Sequence, residues 1–221
     1  MDKRVATLAE AVRNIPDGAS VMIGGFGNSG VPFGLVDALI DHGAKNLTII
    51  SNNAGAGDFG LGRLLKEGQV SKFVCSYPRS RGSVWFEKAY AAGEIALEIV
   101  PQGTLAERIR AAGAGLGGFL TPTGFGTRLA EGKETRVIDG KGYVFEAPLS
   151  ADFALIRGEK GDRWGNLSYH GTARNFNPIM ASAARHTIAE VRQLSEAPLD
   201  PESVVSPGIF VKSIVEYGVR P

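Results

Sequence analysis

Val5, Leu8, Ala9 and Val12 recur at helical spacing, which predicts an opening helix to about Asn14. Pro16-Asp17-Gly18 reads as a turn, and Ser20 to Ile23 as a short apolar strand. A glycine-rich loop follows. Pro32 suits the first turn of a helix whose stripe is Leu35, Leu39 and Ile40, with Gly43 placed to end it. Asn46 to Ile50 reads as a second strand, and Leu61, Leu64 and Leu65 as a helical stripe closed by Gly68. Phe73 to Ser76 reads as a strand, Trp85 to Ala92 as a helix and Ile95 to Val100 as a strand. Thr104 and Glu107 form a T-x-x-E capping-box pattern for a helix through Arg110. Strand and helix alternate with short links, the pattern of a mainly parallel sheet covered by helices.

The pattern changes after about Gly113. Val137-Ile138, Asp139-Gly140 and Tyr143-Val144-Phe145 predict a hairpin around a D-G turn. Phe153 to Ile156, Asn166 to Tyr169 and Thr187 to Val191 read as further strands. The expected fold is therefore α/β, a mainly parallel sheet flanked by helices with a β-rich elaboration in the second half. No linker or repeat interrupts the chain, so a single domain over 1–221 is expected.

Composition narrows the function classes. The 221 residues are 43% hydrophobic and 21% charged, as in an ordinary globular protein. A net charge of +1 gives no strong field to steer nucleic acid or an anionic membrane, and neither is expected as a partner. The one cysteine, Cys75, lies in an apparent strand and reads as a buried small hydrophobe; no internal disulfide framework can form, which suits a reducing cytoplasm. No apolar run approaches the ~20 residues of a membrane helix, and the amphipathic start lacks a signal-peptide core. His42, His170 and His186 are isolated, so no metal site is expected. Trp85 and Trp164 read as core or interface anchors.

The loop Gly24-Gly25-Phe26-Gly27-Asn28-Ser29-Gly30 spells G-x-G-x-x-G from Gly25. Between a strand and a helix, such a loop can turn backbone N–H groups toward an anion and place that anion at the helix N-terminus. It can equally be a tight turn with no ligand. A dinucleotide site would need an acidic residue ending the next strand. That strand ends instead in Ser51-Asn52-Asn53, and two neutral amides suit a carbonyl or oxyanion better than a ribose diol. A nucleotide-linked oxidoreductase is thereby disfavoured.

The longer run Asp17 to Pro32 resembles the first signature of the family I coenzyme A transferases: an Asp-Gly turn, an apolar strand, G-G-F, a glycine four positions on and a proline two further. Ser51-Asn52-Asn53, Pro101-Gln102-Gly103-Thr104, Thr123-Gly124-Phe125-Gly126-Thr127, Trp164-Gly165-Asn166-Leu167 and Ala173-Arg174-Asn175-Phe176-Asn177-Pro178 agree with it. The resemblance covers nearly the whole chain, and the length matches the alpha subunit of the two-subunit enzymes. It implies transfer of CoA between acids through a covalent glutamyl-CoA thioester. The glutamate would lie on a partner beta subunit, because this sequence lacks the Ser-Glu-Asn-Gly stretch that carries it. Heterodimers or heterotetramers would follow, with coenzyme A as a substrate and no tightly bound cofactor.

By the same resemblance, Gly24, Gly25, Phe26, Gly27, Asn28, Ser29 and Gly30 are expected to bind CoA, Asn52 and Asn53 to face the reacting carbonyl, and Gln102 to recognise the acid substrate. The alternatives are that the two asparagines brace a turn and that Gln102 caps a helix. Arg108 and Arg110 read as a solvated or subunit-facing side. Glu87, Glu94, Glu98, Glu131, Glu134 and Glu146 could attack a thioester by chemistry alone, but none matches the catalytic motif. Ile50 to Gly55, Val74 to Arg79 and Lys160 to Gly165 look closer to 3-oxoadipate enzymes than to acetoacetate enzymes. The second carboxylate of 3-oxoadipate would favour an additional cation near the pocket, for which Arg79 and Arg81 are candidates. A non-catalytic acyl-CoA-binding protein is the alternative of another class.

Overall fold

The structure is a computed structural model and describes residues 2–218. In chain order the first half supplies strands β1 (Ser20–Ile23), β2 (Leu47–Ile50), β3 (Val70–Cys75) and β4 (Ala96–Ile99). A separate antiparallel sheet follows, built from β5 (Phe119–Thr121), β6 (Thr135–Ile138) and β7 (Lys141–Glu146) in the order β5-β7-β6. The second half then supplies β8 (Ala151–Asp162), β9 (Leu167–Ser168), β10 (Ala184–Ser195) and β11 (Val211–Glu216). Seven parallel strands form the main sheet in the order β11-β10-β8-β1-β2-β3-β4, and short β9 pairs antiparallel to β8. Asp139 and Gly140 turn the β6–β7 hairpin with φ of 49° and 75°, the left-handed pair that a D-G turn supplies.

Helices α1 (Leu8–Val12), α2 (Phe33–His42), α3 (Leu61–Lys66) and α4 (Val84–Ala91) cover one face of the main sheet. Helices α5 (Gln102–Gly113) and α6 (Asn177–Ala183) cover the other. Successive side chains of a strand point to opposite faces, so both faces of β1 must be apolar. Val21 and Ile23 pack with Leu35, Leu39 and Leu64, and Met22 packs with Leu105, Ile109 and Met180.

Three expectations change. The opening helix begins at Leu8 rather than near Val5, because Lys3 and Val5 pair with Ile214 of β11 and Thr7 caps the helix through the Glu10 amide. The capping box is absent: α5 starts at Gln102, directly after Pro101, and Thr104 is its third residue, with a buried Oγ1 that has no partner. The expected β-rich elaboration of the second half is the β5–β7 sheet, while β8, β10 and β11 extend the main parallel sheet. Arg108 faces neither solvent nor a free surface: 13% exposed, it donates to Glu98 Oε1 at 3.0 Å and to the Ala147 carbonyl at 2.9 Å, tying the main sheet to the chain after β7.

Candidate active site

The chain runs outward from β1 to β4, then returns to place β8 on the opposite side of β1. Parallel sheets open a crevice above the carboxyl ends of strands where the order reverses. A cleft of about 480 Å³ lies there. The glycine loop after β1, the Asn52–Ala56 segment after β2, the Ser76–Ser80 segment after β3 and Gln102 of α5 line it.

Asn52 forms the polar centre of this cleft. Its side chain is almost fully buried, at 3% exposure. Its Oδ1 accepts from Ser76 Oγ at 2.7 Å and from Gln102 Nε2 at 2.8 Å. Two donors on one oxygen fix the amide's orientation and leave Nδ2 to donate elsewhere. Among the described residues Nδ2 makes no hydrogen bond. The Asn52 carbonyl accepts from the Ser76 and Tyr77 amides, which holds the backbone on both sides. Asn53 differs: its Oδ1 accepts from the Gly55 amide at 3.0 Å in an Asx-turn, so at least its oxygen serves the turn. Gln102 is committed to Asn52 through Nε2, whether or not it also meets a substrate.

The glycine loop is held from behind by a pair of asparagines. Asn175 Oδ1 accepts from the Gly25 amide and its Nδ2 donates to the Ser29 carbonyl. Asn177 Nδ2 donates to the Gly30 carbonyl, and its Oδ1 accepts from the Arg157 amide. A Cβ on Gly24 would lie 1.9 Å from Asn177 Oδ1, so only glycine fits there. Gly27 has φ +59° and open space around it; its requirement is conformational. Asn175 and Asn177 carry no role in the sequence reading; their spacing within Ala173 to Pro178 is the signal that could have found them.

One amide at the N-terminus of α2 already has an acidic partner within the chain. The buried carboxyl of Glu190 accepts there from the Leu35 amide through Oε2 at 2.9 Å. Desolvation pushes the Glu190 carboxyl up to about 7, against the pull of the Leu35 amide and nearby Arg157. Among the described residues no carboxylate lines the amide cleft. The glutamates singled out by chemistry lie elsewhere, several of them in ion pairs: Glu87 with Arg79, Glu98 with Lys72 and Arg108, Glu134 with Arg136, Glu146 with Lys133. Arg79 pairs with Glu87 at 3.0 Å in an exposed contact, and neither it nor Arg81 lines the cleft. Cys75 is buried, and burial pushes its thiol up to about 12, which keeps it a thiol.

A coenzyme A transferase family model matches residues 5–217. The chain belongs to the coenzyme A transferase family. It is 61% identical over 222 residues to the alpha subunit of 3-oxoadipate CoA-transferase from Acinetobacter baylyi, covering 100% of this chain and 97% of the relative. It is 58% identical to the corresponding 3-oxoadipate CoA-transferase chain from Pseudomonas putida, covering 97% and 94%. It is 46% identical to the alpha subunit of a probable succinyl-CoA:3-ketoacid coenzyme A transferase from Bacillus subtilis, covering 97% and 90%. The fold matches an acyl-CoA transferase of Escherichia coli in a thioester complex with CoA, at TM-score 0.85 and 24% identity. That match covers 98% of this chain and half of the Escherichia coli chain. Glutaconate coenzyme A-transferase of Acidaminococcus fermentans also matches, at TM-score 0.84 and 21% identity over 98% of this chain and 76% of that one. Among the described residues of this CoA-transferase chain, no helix is long and apolar enough to cross a membrane.

Proposed function

We propose that this chain is the alpha subunit of a heteromeric CoA-transferase that moves CoA from succinyl-CoA to 3-oxoadipate. One observation carries the half-site part of the reading: among the described residues the cleft presents fixed amide donors and no carboxylate nucleophile. The identity gap between relatives named for 3-oxoadipate and those named for 3-ketoacids supports the acceptor.

A glutamate of the beta subunit would attack the succinyl-CoA carbonyl. The tetrahedral oxyanion collapses to a mixed anhydride as the C–S bond breaks. The CoA thiolate then attacks the glutamyl carbonyl, releasing succinate and forming the glutamyl-CoA thioester. The carboxylate of 3-oxoadipate reverses these steps and leaves as its CoA ester. Every tetrahedral stage carries negative charge on oxygen, and Asn52 Nδ2 is held to donate to it. Asn53 adds a second amide at the rim. Gln102 positions Asn52, and the loop Gly24 to Gly30 packs against the CoA ester.

The test is reconstitution. The purified chain alone turns over no succinyl-CoA, and addition of its beta subunit produces transfer, with kcat/KM higher for 3-oxoadipate than for acetoacetate. Turnover by the isolated chain sinks the half-site. Preference for acetoacetate moves the enzyme to the 3-ketoacid group. CoA binding with no transfer in the assembled pair makes it a binding protein.

The loop assignment has its own check. Valine at position 27 meets no neighbour but must adopt φ near +59°, at a cost of about 1–2 kcal/mol. Gly27→Val is expected to lower the thermal midpoint by a few degrees and to raise KM for succinyl-CoA by about tenfold. An unchanged KM would take the loop out of the CoA site.

A further inference from the structure

A second hollow, of about 360 Å³, opens beside the amide cleft, and Asn28 lines both. Phe33, Phe59, Arg157 and Tyr217 form much of its wall. Arg157 stands on β8, next to β1 on the side away from β2. It is half-buried, yet its guanidinium makes no hydrogen bond or ion pair among the described residues. A partly desolvated cation with open donors is costly unless something fills them. Two acids lie nearby, and Glu190 feels the Arg157 charge without an ion pair to it. Asp37, which also lines the hollow, pairs with Arg63 at 3.5 Å, and Glu190 is turned onto the Leu35 amide.

We propose that Arg157 receives the second, non-reacting carboxylate of a dicarboxylic substrate whose reacting carbonyl lies against Asn52. This rests on the CoA-transfer reading and deepens it. Succinyl-CoA and 3-oxoadipate both carry such a carboxylate; acetoacetate does not. The chemistry fits one carboxylate better than a phosphate. One guanidinium offers a planar fork that matches a single carboxylate, whereas a dianion would face Asp37 with only one cation. The Phe33 and Phe59 rings, 5.8 Å apart, offer an apolar wall to the methylene chain. β2 and β8 flank β1, so their ends stand two strand spacings apart, roughly 10 Å, a span that a short diacid and an arginine side chain can bridge.

In the reconstituted enzyme, Arg157→Gln is expected to raise KM for 3-oxoadipate about 10- to 100-fold, the scale of one lost charge-assisted hydrogen bond, and to leave KM for acetoacetate unchanged. Arg157→Lys is expected to recover part of the loss. A readout independent of turnover is the thermal midpoint of the chain in adipate, an unreactive diacid: adipate raises it for wild type and not for Arg157→Gln. Equal losses for both acids overturn the proposal, as does a KM rise shared by all CoA esters, which would mark a phosphate contact, or failure of Arg157→Gln to assemble with the beta subunit. If the wild-type pair transfers no CoA to 3-oxoadipate, the functional reading fails first. The adipate shift then decides the Arg157 site alone, and no shift overturns it.

Discussion

Asn52→Ala in the reconstituted enzyme lowers kcat by about 10²–10³-fold, the range for loss of one oxyanion donor. The expectation follows from geometry. Ser76 and Gln102 both donate to Asn52 Oδ1, so the amide cannot turn over, and its Nδ2 is held ready without competing for a protein partner. A donor fixed before the reaction acts on charge that develops only in the transition state, so KM should move little. Folding should suffer modestly, by about 1 kcal/mol, because Ser76 Oγ keeps a second acceptor in the Asn52 carbonyl. Asn53→Ala should cost less in kcat, since its oxygen already serves the turn to Gly55. Thermal midpoint and kcat measured on one preparation separate these roles. A normal kcat for Asn52→Ala with a lowered midpoint would make the amide scaffold, and an Asn53→Ala effect exceeding that of Asn52→Ala would reverse their order.

Much of the fold was legible because it is local. The run Ser20 to Ile23 has apolar residues on both faces, and the strand occupies those residues. Gly43 ends α2 in the left-handed conformation expected of a helix-stopping glycine. What escaped is set by distant partners. Val5 falls on the apolar stripe of the expected helix, but β11 offers Lys3 and Val5 a strand edge some 200 residues later. Thr104 and Glu107 have capping-box spacing, yet Pro101 fixes the entry and buries Thr104 inside the helix. α6 has only seven residues, too few for a periodic signal. The candidate site divides the same way. The types Asn52, Asn53 and Gln102 stand out in the sequence, but the bond that joins Asn52 to Gln102 spans 50 positions. The second carboxylate of 3-oxoadipate favours a cation beside the cleft, for which Arg79 and Arg81 are the sequence candidates. Arg79 lies against Glu87 instead, and Arg157, brought alongside by the β1–β8 pairing, lines the adjoining hollow.

Glu190→Gln should stabilise the protein in a pH-dependent way. Glu190 is 1% exposed, and among the described residues its Oε1 has no hydrogen-bond partner while Oε2 accepts from the Leu35 amide. Burial disfavours the carboxylate; Arg157 on β8 and the Leu35 and Gly34 amides partly oppose that, and Asp37 adds to it. Tyr217 packs close by, near the same Gly34 site. The carboxyl therefore titrates at about 7 in the folded chain, against the ordinary value of 4.5. Between those values the folded state holds a proton that the unfolded state has lost, so stability falls as pH rises. The contribution is complete below pH 4.5 and is lost as pH climbs through 7. A raised pKa of this size corresponds to about 3 kcal/mol over that window. Glutamine does not titrate and keeps an acceptor for the Leu35 amide. Relative to wild type, Glu190→Gln should gain little near pH 4.5 and about 3 kcal/mol near pH 8.5, or roughly 6–12 °C in thermal midpoint. Denaturant unfolding of both proteins across that range checks it. A difference that does not grow with pH would mean that Glu190 ionises without penalty, through water or a closer approach of Arg157. If Arg157 is the cause, its guanidinium is no longer free to receive a substrate carboxylate.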